Sequence, residues 1–198
     1  MQFGIVELLI GNMQFSLRIA PYVIIVATLF RSILLLTGYK RAFNTWTRNT
    51  VLSLLSIVLA PGIFINTGIR YVVCSVLGIH LDGFGVGTTY AEVNVFIHVE
   101  RPPRVAALLV ALFLSSLASV FVGFLLLFVP MSLLMEFPLA FVCWYLAVAV
   151  LLNSCIRSGD LTLIGASLKK QGRRGAIELL VVIAVLVLFY TQVVGVYV

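Results

Sequence analysis

A chain of 198 residues that is 62% hydrophobic and only 10% charged, with a mean hydropathy of +1.18, lies outside soluble-protein usage and reads as one polytopic membrane domain over residues 1–198. A second, soluble domain does not fit. The formal net charge of +6 comes from 13 Lys+Arg against 7 Asp+Glu. The basic residues gather in short segments between apolar runs, such as Lys40-Arg41 and Lys169-Lys170-Gln171-Gly172-Arg173-Arg174. That placement points to topology and contact with membrane lipids, and argues against nucleic acid as a partner.

The N-terminal stretch lacks a basic leader and a small-residue cleavage site, so it is expected to remain in the mature chain. The apolar run Phe3 to Ile10 is too short to span and contains Glu7, which predicts an interfacial or half-inserted helix. A first span is predicted from about Leu17 to Thr37, with Pro21 near its start. Arg31 lies within it, and a guanidinium at that depth must snorkel, face water or find an acid. The polar interval Gly38 to Asn49 follows, with Tyr39 and Trp46 suited to the interface.

Residues 50–78 form a long apolar segment broken at Pro61-Gly62, which predicts two half-helices or a kinked one. Asn66, Gly68 and Arg70 interrupt its apolar surface. After Gly78 the period changes. In the stretch from Thr88 to Glu100, Val93, Val95 and Ile97 alternate with Asn94, Phe96 and His98, which predicts two strands joined through Gly83 to Gly87. The hairpin is expected to end at Pro102-Pro103 and to pack against the helices, because an isolated one is marginal in water.

Residues 104–129 are a transmembrane helix with Ala107, Ala111, Ser115, Ser119 and Gly123 at every fourth position, a stripe suited to close helix packing. Leu133 to Ile156 is the next predicted span, then a polar loop from Arg157 to Gly175, then a last helix from Ala176 to about Val196. The loop holding Arg157, Lys169, Lys170, Arg173 and Arg174 is the best cytoplasmic candidate, and it places the hairpin, with Arg101 and Arg104, on the same side. Lys40, Arg41 and Arg48 fall outside if the broken helix crosses fully, so one of the early segments is expected not to span.

Three cysteines, Cys74, Cys143 and Cys155, show no CxxC spacing and suggest neither a disulfide framework nor a thiolate metal site. His80 and His98 lie near the two ends of the hairpin with Asp82 close by. A two-histidine-plus-carboxylate site is one reading; solvated or hydrogen-bonded strand histidines are the better one.

The segment from Val76 to Gly87, VLGIHLDGFGVG, resembles a phrase that follows the H-E-x-x-H helix in intramembrane zinc metalloproteases of the site-2 protease family. Aligned on Gly68, the positions of that motif hold Ile65, Asn66, Thr67, Gly68 and Ile69. A second stretch, NSCIRSGDL from Asn153 to Leu161, resembles the polar turn that supplies the family's third ligand and keeps Ser154, Ser158, Gly159 and Asp160. The likeness covers about residues 55–165 and implies a proteolytically inactive relative. Ile65 and Ile69 cannot replace imidazoles, and Asn66 has no carboxylate to activate a water. In the family geometry Asp160 faces the motif helix, and Arg70 lies one turn beyond Asn66. An Arg70 to Asp160 pair in place of the metal is therefore expected, with snorkelling of Arg70 to the interface as the alternative.

The expected fold is an all-α integral membrane protein with about five transmembrane helices and a short β-hairpin between the second and third. The expected role is a non-catalytic subunit or scaffold in the cell membrane that binds other integral membrane proteins, with no catalytic, cofactor or metal-binding residues assigned. Two alternatives stand beside it. A small transporter or channel component would draw on Glu7, Arg31, Arg70 and Glu136, and an intramembrane metalloprotease would need a relocated metal site.

Overall fold

The computed structural model describes residues 5–37, 54, 57–79, 81–89, 92–99, 103–156 and 158–195. The polar interval 38–49, His80 and Arg157, each singled out above, lie outside the described residues. Six helices and one pair of strands make up the described chain: α1 (Ile5–Thr37), α2 (Ala60–Val76), β1 (Leu81–Thr89), β2 (Glu92–Val99), α3 (Val105–Ser132), α4 (Phe137–Asn153), α5 (Ser158–Gln171) and α6 (Arg173–Leu188), the last continuing into a wider turn over Phe189–Val194. Helices long and apolar enough to cross a membrane run over Val6–Ile33, Val105–Ser132 and Arg173–Gln192, which makes this a membrane protein. Against the expectation of about five spans, three qualify by length and hydropathy among the described residues. The apolar α4 has only 17 residues, about 26 Å at the α-helical rise and short of a full hydrocarbon thickness.

α1 is continuous over 33 residues, with Pro21 inside it, so the predicted division into a short interfacial helix and a later span is corrected. Glu7, which interrupts the apolar run of its first half, is exposed near the start of the helix, and the polar residues that follow it face the interior. Asn12, Ser16, Ala20 and Ala27 are buried at helical spacings of four, four and seven, and Asn12 Nδ2 donates to the Phe121 carbonyl of α3 at 3.1 Å. Phe15 closes the same seam by meeting the Phe124 ring edge-on at 5.0 Å between centroids. These contacts fasten the first half of α1 to α3.

Residues 57–58 are helical, Leu59 is a turn and α2 resumes at Ala60, so the apolar segment is interrupted just before Pro61. This proline stands in the first turn of α2, where the missing N–H has no helical partner to lose and the fixed φ suits a helix. Gly62 then permits an unusually close crossing. A Cβ built on it would lie 2.2 Å from the Ala149 carbonyl oxygen of α4. α2 ends at Gly78, where φ is +68° and the Gly78 and Ile79 amides close onto the Ser75 and Cys74 carbonyls at 3.1 and 3.0 Å. β1 and β2 pair antiparallel, with Val86 opposite Val95 and Gly83 opposite His98. Gly83 to Gly87, expected as the turn, lie inside β1, and the connection falls at 90–91, outside the described residues.

α3 packs on α1, α2, α4, α5 and α6 and forms the centre of the bundle. Ala111, Ser115, Ser119 and Gly123 of its small-residue stripe are buried. The segment expected to be a polar loop is mostly the helix α5. Its charges suit a helix, since Asp160 occupies the first turn and Lys169 and Lys170 the last, each opposite in sign to the helix end it approaches. The start of α3 has no cap from its own side chains. It is capped from the α5–α6 junction: Glu178 Oε2 accepts from the Ala106 amide at 3.2 Å, and Gln171 accepts from the Val105 amide at 3.5 Å while donating to the Pro103 carbonyl at 3.1 Å.

Gly62→Leu is expected to force α2 and α4 apart and lower the thermal unfolding midpoint in detergent, with a cost of about 1–3 kcal/mol for the overpacked crossing. Gly68→Ala, at a position with nothing within 4 Å of the added carbon, is expected to stay within about 1 kcal/mol of the parent and on the stabilising side.

Candidate functional site

Gly62, Asn66 and Arg70 stand four residues apart and make one longitudinal face of α2. Gly62 and Asn66 are buried and Arg70 is nearly so, whereas Ile65 and Ile69 are half-buried to the side. The face turned inward is thus the one that carries the amide and the guanidinium. Gly62 brings the backbone of α4 within reach, and Asn66 Nδ2 then donates to the Val150 carbonyl at 3.0 Å. Asn66 is only 1% exposed, and its Oδ1 has no hydrogen-bond partner among the described residues.

One turn further on, Arg70 meets the beginning of α5. Its Nη1 donates to both carboxylate oxygens of Asp160, at 2.7 and 2.9 Å, and its Nη2 donates to the Cys155 carbonyl at 3.1 Å. The two charged side chains are only 12% and 13% exposed. Snorkelling is therefore not the arrangement found. Asp160 gains twice, from the guanidinium and from the positive end of α5.

The turn between α4 and α5 is held from other directions as well. Asn153 Nδ2 donates to the Ala149 carbonyl at 2.8 Å and to the Leu59 carbonyl, just before α2, at 3.3 Å. Ser154 Oγ donates back to the Leu151 carbonyl at 2.7 Å. From α1, Thr28 Oγ1 accepts from the Ile156 amide at 3.3 Å while donating to Ile24 at 2.6 Å. Arg31 Nη1 donates to the Cys155 sulfur at 3.5 Å, so this arginine of the α1 span is placed at the junction. Tyr145 of α4 donates its hydroxyl hydrogen to the Val58 carbonyl and adds a further tie to the approach of α2.

The junction joins Asn66, Arg70 and Asp160, which the sequence reading weighs together, with Thr28, Gly62, Tyr145, Asn153 and the Cys155 backbone, which it does not place there. A partial signal for the first two existed in the sequence. Thr28 lies three residues before Arg31 on a similar face, and a glycine four residues before a buried asparagine marks a close approach. The four residues considered for a transport path are not brought together. Arg31 and Arg70 converge on Cys155, while Glu7 and Glu136 are exposed, and Glu7 is 24 residues before Arg31 on the same helix, about 36 Å along its axis. Glu7 borders a cleft of about 290 Å³ between α1 and α3, together with Asn12, Phe15 and Phe128.

Cys155 is buried, and Cys74 and Cys143 are half-buried, all as free thiols. Among the described residues no three His, Cys, Asp or Glu side chains group so as to hold a metal ion. Of the two histidines, His98 lies in β2 opposite Gly83.

Compared with known proteins, the chain matches no family model, no curated protein and no solved structure.

Asp160→Asn is expected to leave the Arg70 guanidinium buried without a counter-charge and to destabilise the protein by about 3 kcal/mol, read as a lower unfolding midpoint in detergent. The double replacement of Arg70 and Asp160 by leucine is expected to recover much of that loss, because no uncompensated ion remains. An unchanged midpoint in Asp160→Asn would contradict a structural role for the pair.

Proposed function

We propose that the chain is a non-catalytic, multi-pass subunit or scaffold of the cell membrane, built on a site-2-protease-like core, which binds other integral membrane proteins through its helix surfaces. The Arg70–Asp160 ion pair carries this reading. Asp160 stands where the resemblance puts the third metal ligand, and a guanidinium engages both of its oxygens. The other ligand positions hold Ile65 and Ile69, which have no lone pair to give, and Asn66, which has no carboxylate to take a proton from water. An ion pair joining α2 to α5 serves the cross-linking role that a metal would otherwise fill, without its chemistry.

In this reading α1, α3 and α6 cross the bilayer fully, and α2 and α4 complete about five passes as shorter elements. The strand pair lies on the cytoplasmic side with the α5–α6 turn, in keeping with the positive charge gathered there. Partner binding is assigned to the outer surface of α6. That helix touches the bundle along one edge, and Ile177, Leu180, Val181, Val185 and Leu188 are exposed. In a bilayer such a face meets lipid or another helix, and helix association there depends on close van der Waals fit.

Purification in a gentle detergent is expected to bring the chain out with another integral membrane protein, identified by mass spectrometry. Val181→Trp with Val185→Trp, four residues apart on the exposed face, is expected to weaken that association about tenfold without lowering the unfolding midpoint. A chain that emerges alone and monomeric at every salt concentration would end the subunit reading. Stoichiometric zinc in the purified protein would replace it with a metalloprotease that has relocated its metal site.

A further inference from the structure

We propose that the end of the molecule at which α3 and α6 begin is a binding surface for anionic phospholipid headgroups, formed by Arg104, Lys169, Lys170, Arg173 and Arg174. The inference is independent of the subunit reading.

The position of the charges relative to the spans comes first. The apolar span of α3 starts at Val105, directly after Arg104, and that of α6 starts at Arg173 itself. Gln171 and Glu178 bind the first amides of α3, so the two spans start side by side. The cations therefore stand at the edge of the hydrocarbon, at the depth of the headgroup phosphates. All five residues are exposed.

The second observation concerns what opposes them. The N-terminal end of a helix is positive, so an anion nearby is favourable and a cation is not. Here Arg104 occupies the position before α3, Arg173 and Arg174 open α6, and neither helix has an acidic residue in its first turn. The nearby carboxylate of Glu178 is turned inward, onto the Ala106 amide. The start of α3 is thus already met by a carboxylate, and the positive end left to the surroundings is that of α6, at one level with the exposed Arg104, Arg173 and Arg174. Lys169 and Lys170 add charge from the last turn of α5, where the helix end favours them. The Gly172 backbone, at φ +55°, turns the chain between these lysines and arginines and leaves both pairs outside.

Such an arrangement costs stability in isolation and is relieved by negative groups brought by the surroundings. At the edge of a membrane span the negative groups present at high density are the phosphodiesters of anionic lipids. The opposite end of the bundle, with exposed Glu7 and Glu136, has no such cluster of arginines at paired helix starts among the described residues.

The test uses the full chain purified in an uncharged mild detergent. Its unfolding midpoint is followed while phosphatidylglycerol, phosphatidylcholine or inorganic phosphate is added at matched phosphate concentration. Phosphatidylglycerol is expected to raise the midpoint, and the other two are not; the rise should shrink at high salt, where exposed charges are screened. The combined change Lys169→Gln, Lys170→Gln, Arg173→Gln and Arg174→Gln is expected to require about tenfold more phosphatidylglycerol for the same rise. Arg173→Lys with Arg174→Lys should respond like the parent. Should the fourfold variant not fold, Arg173→Gln with Arg174→Gln takes its place under the same criterion. A variant stripped of charge that responds at the parent's lipid concentration overturns the proposal. So does an equal rise with inorganic phosphate, which would mean general anion binding instead of a headgroup surface.

Discussion

The Arg70 guanidinium, held by Asp160 and the Cys155 carbonyl, is the interaction on which the arrangement of the helices depends. Removing an arginine and an aspartate from water is unfavourable unless each meets the other with good geometry and the remaining donors are satisfied. Both conditions constrain the chain beyond the pair itself. Asp160 must sit in the first turn of α5, and the turn before it must present the Cys155 carbonyl toward α2. α4 ends at Asn153, after too few residues to cover a full hydrocarbon thickness. Its polar turn therefore has to be satisfied from within the protein, and side chains of α1, α2 and α4 do this.

Close approach makes that satisfaction possible. An asparagine or arginine reaches the backbone of a neighbouring helix only if the two backbones pass near each other. Gly62 against Ala149 and Gly123 against Leu151 leave no space for a Cβ. The buried seam of α1 and α3 follows the same pattern with Ser16, Ala20, Ala111, Ser115 and Ser119. Most buried hydroxyls bond to a carbonyl of their own helix, as Thr67 does to Ile63 and Ser119 to Ser115. They fill space without demanding a partner across the interface. The cross-helix links are left to longer polar side chains at a few positions: Asn12 joins α1 to α3, and Asn66 joins α2 to α4.

Sequence patterning made some of this visible and hid the rest for identifiable reasons. The four-residue stripe of α3 was readable because small residues in an otherwise apolar helix have few causes besides packing. The Arg70–Asp160 pair was readable from a resemblance that set Asp160 opposite α2, with Arg70 one turn beyond Asn66. The continuity of α1 was not, since the run Phe3 to Ile10 is short and holds Glu7, and hydropathy does not register that the polar Asn12 and Ser16 beyond it face the interior. Polarity alone makes α5 resemble a loop, but acid first and base last is the order that a helix favours. The interruption before Pro61 was readable, because a proline is tolerated in the first turn of a helix and not in its interior. The Asn66 bond to Val150 depends on Gly62, a contact between segments more than eighty residues apart, and no local pattern carries it.

Under the proposed reading, the exchange of a metal centre for an ion pair changes what kind of action the interior can support. A bound metal keeps an open coordination position, and substrate or water enters there. A guanidinium bonded to two carboxylate oxygens and a carbonyl has no comparable opening, and its geometry is fixed by the helices that supply its partners. Nearby, Asn66 is committed through its nitrogen to the Val150 carbonyl, and its Oδ1 has no partner among the described residues. Chemistry that needs exchange with water is disfavoured in such a junction, and binding through exposed helix surfaces and the basic α5–α6 end is not. The stability of the junction then serves the surface, since a helix face can select a partner only if the bundle behind it holds one shape.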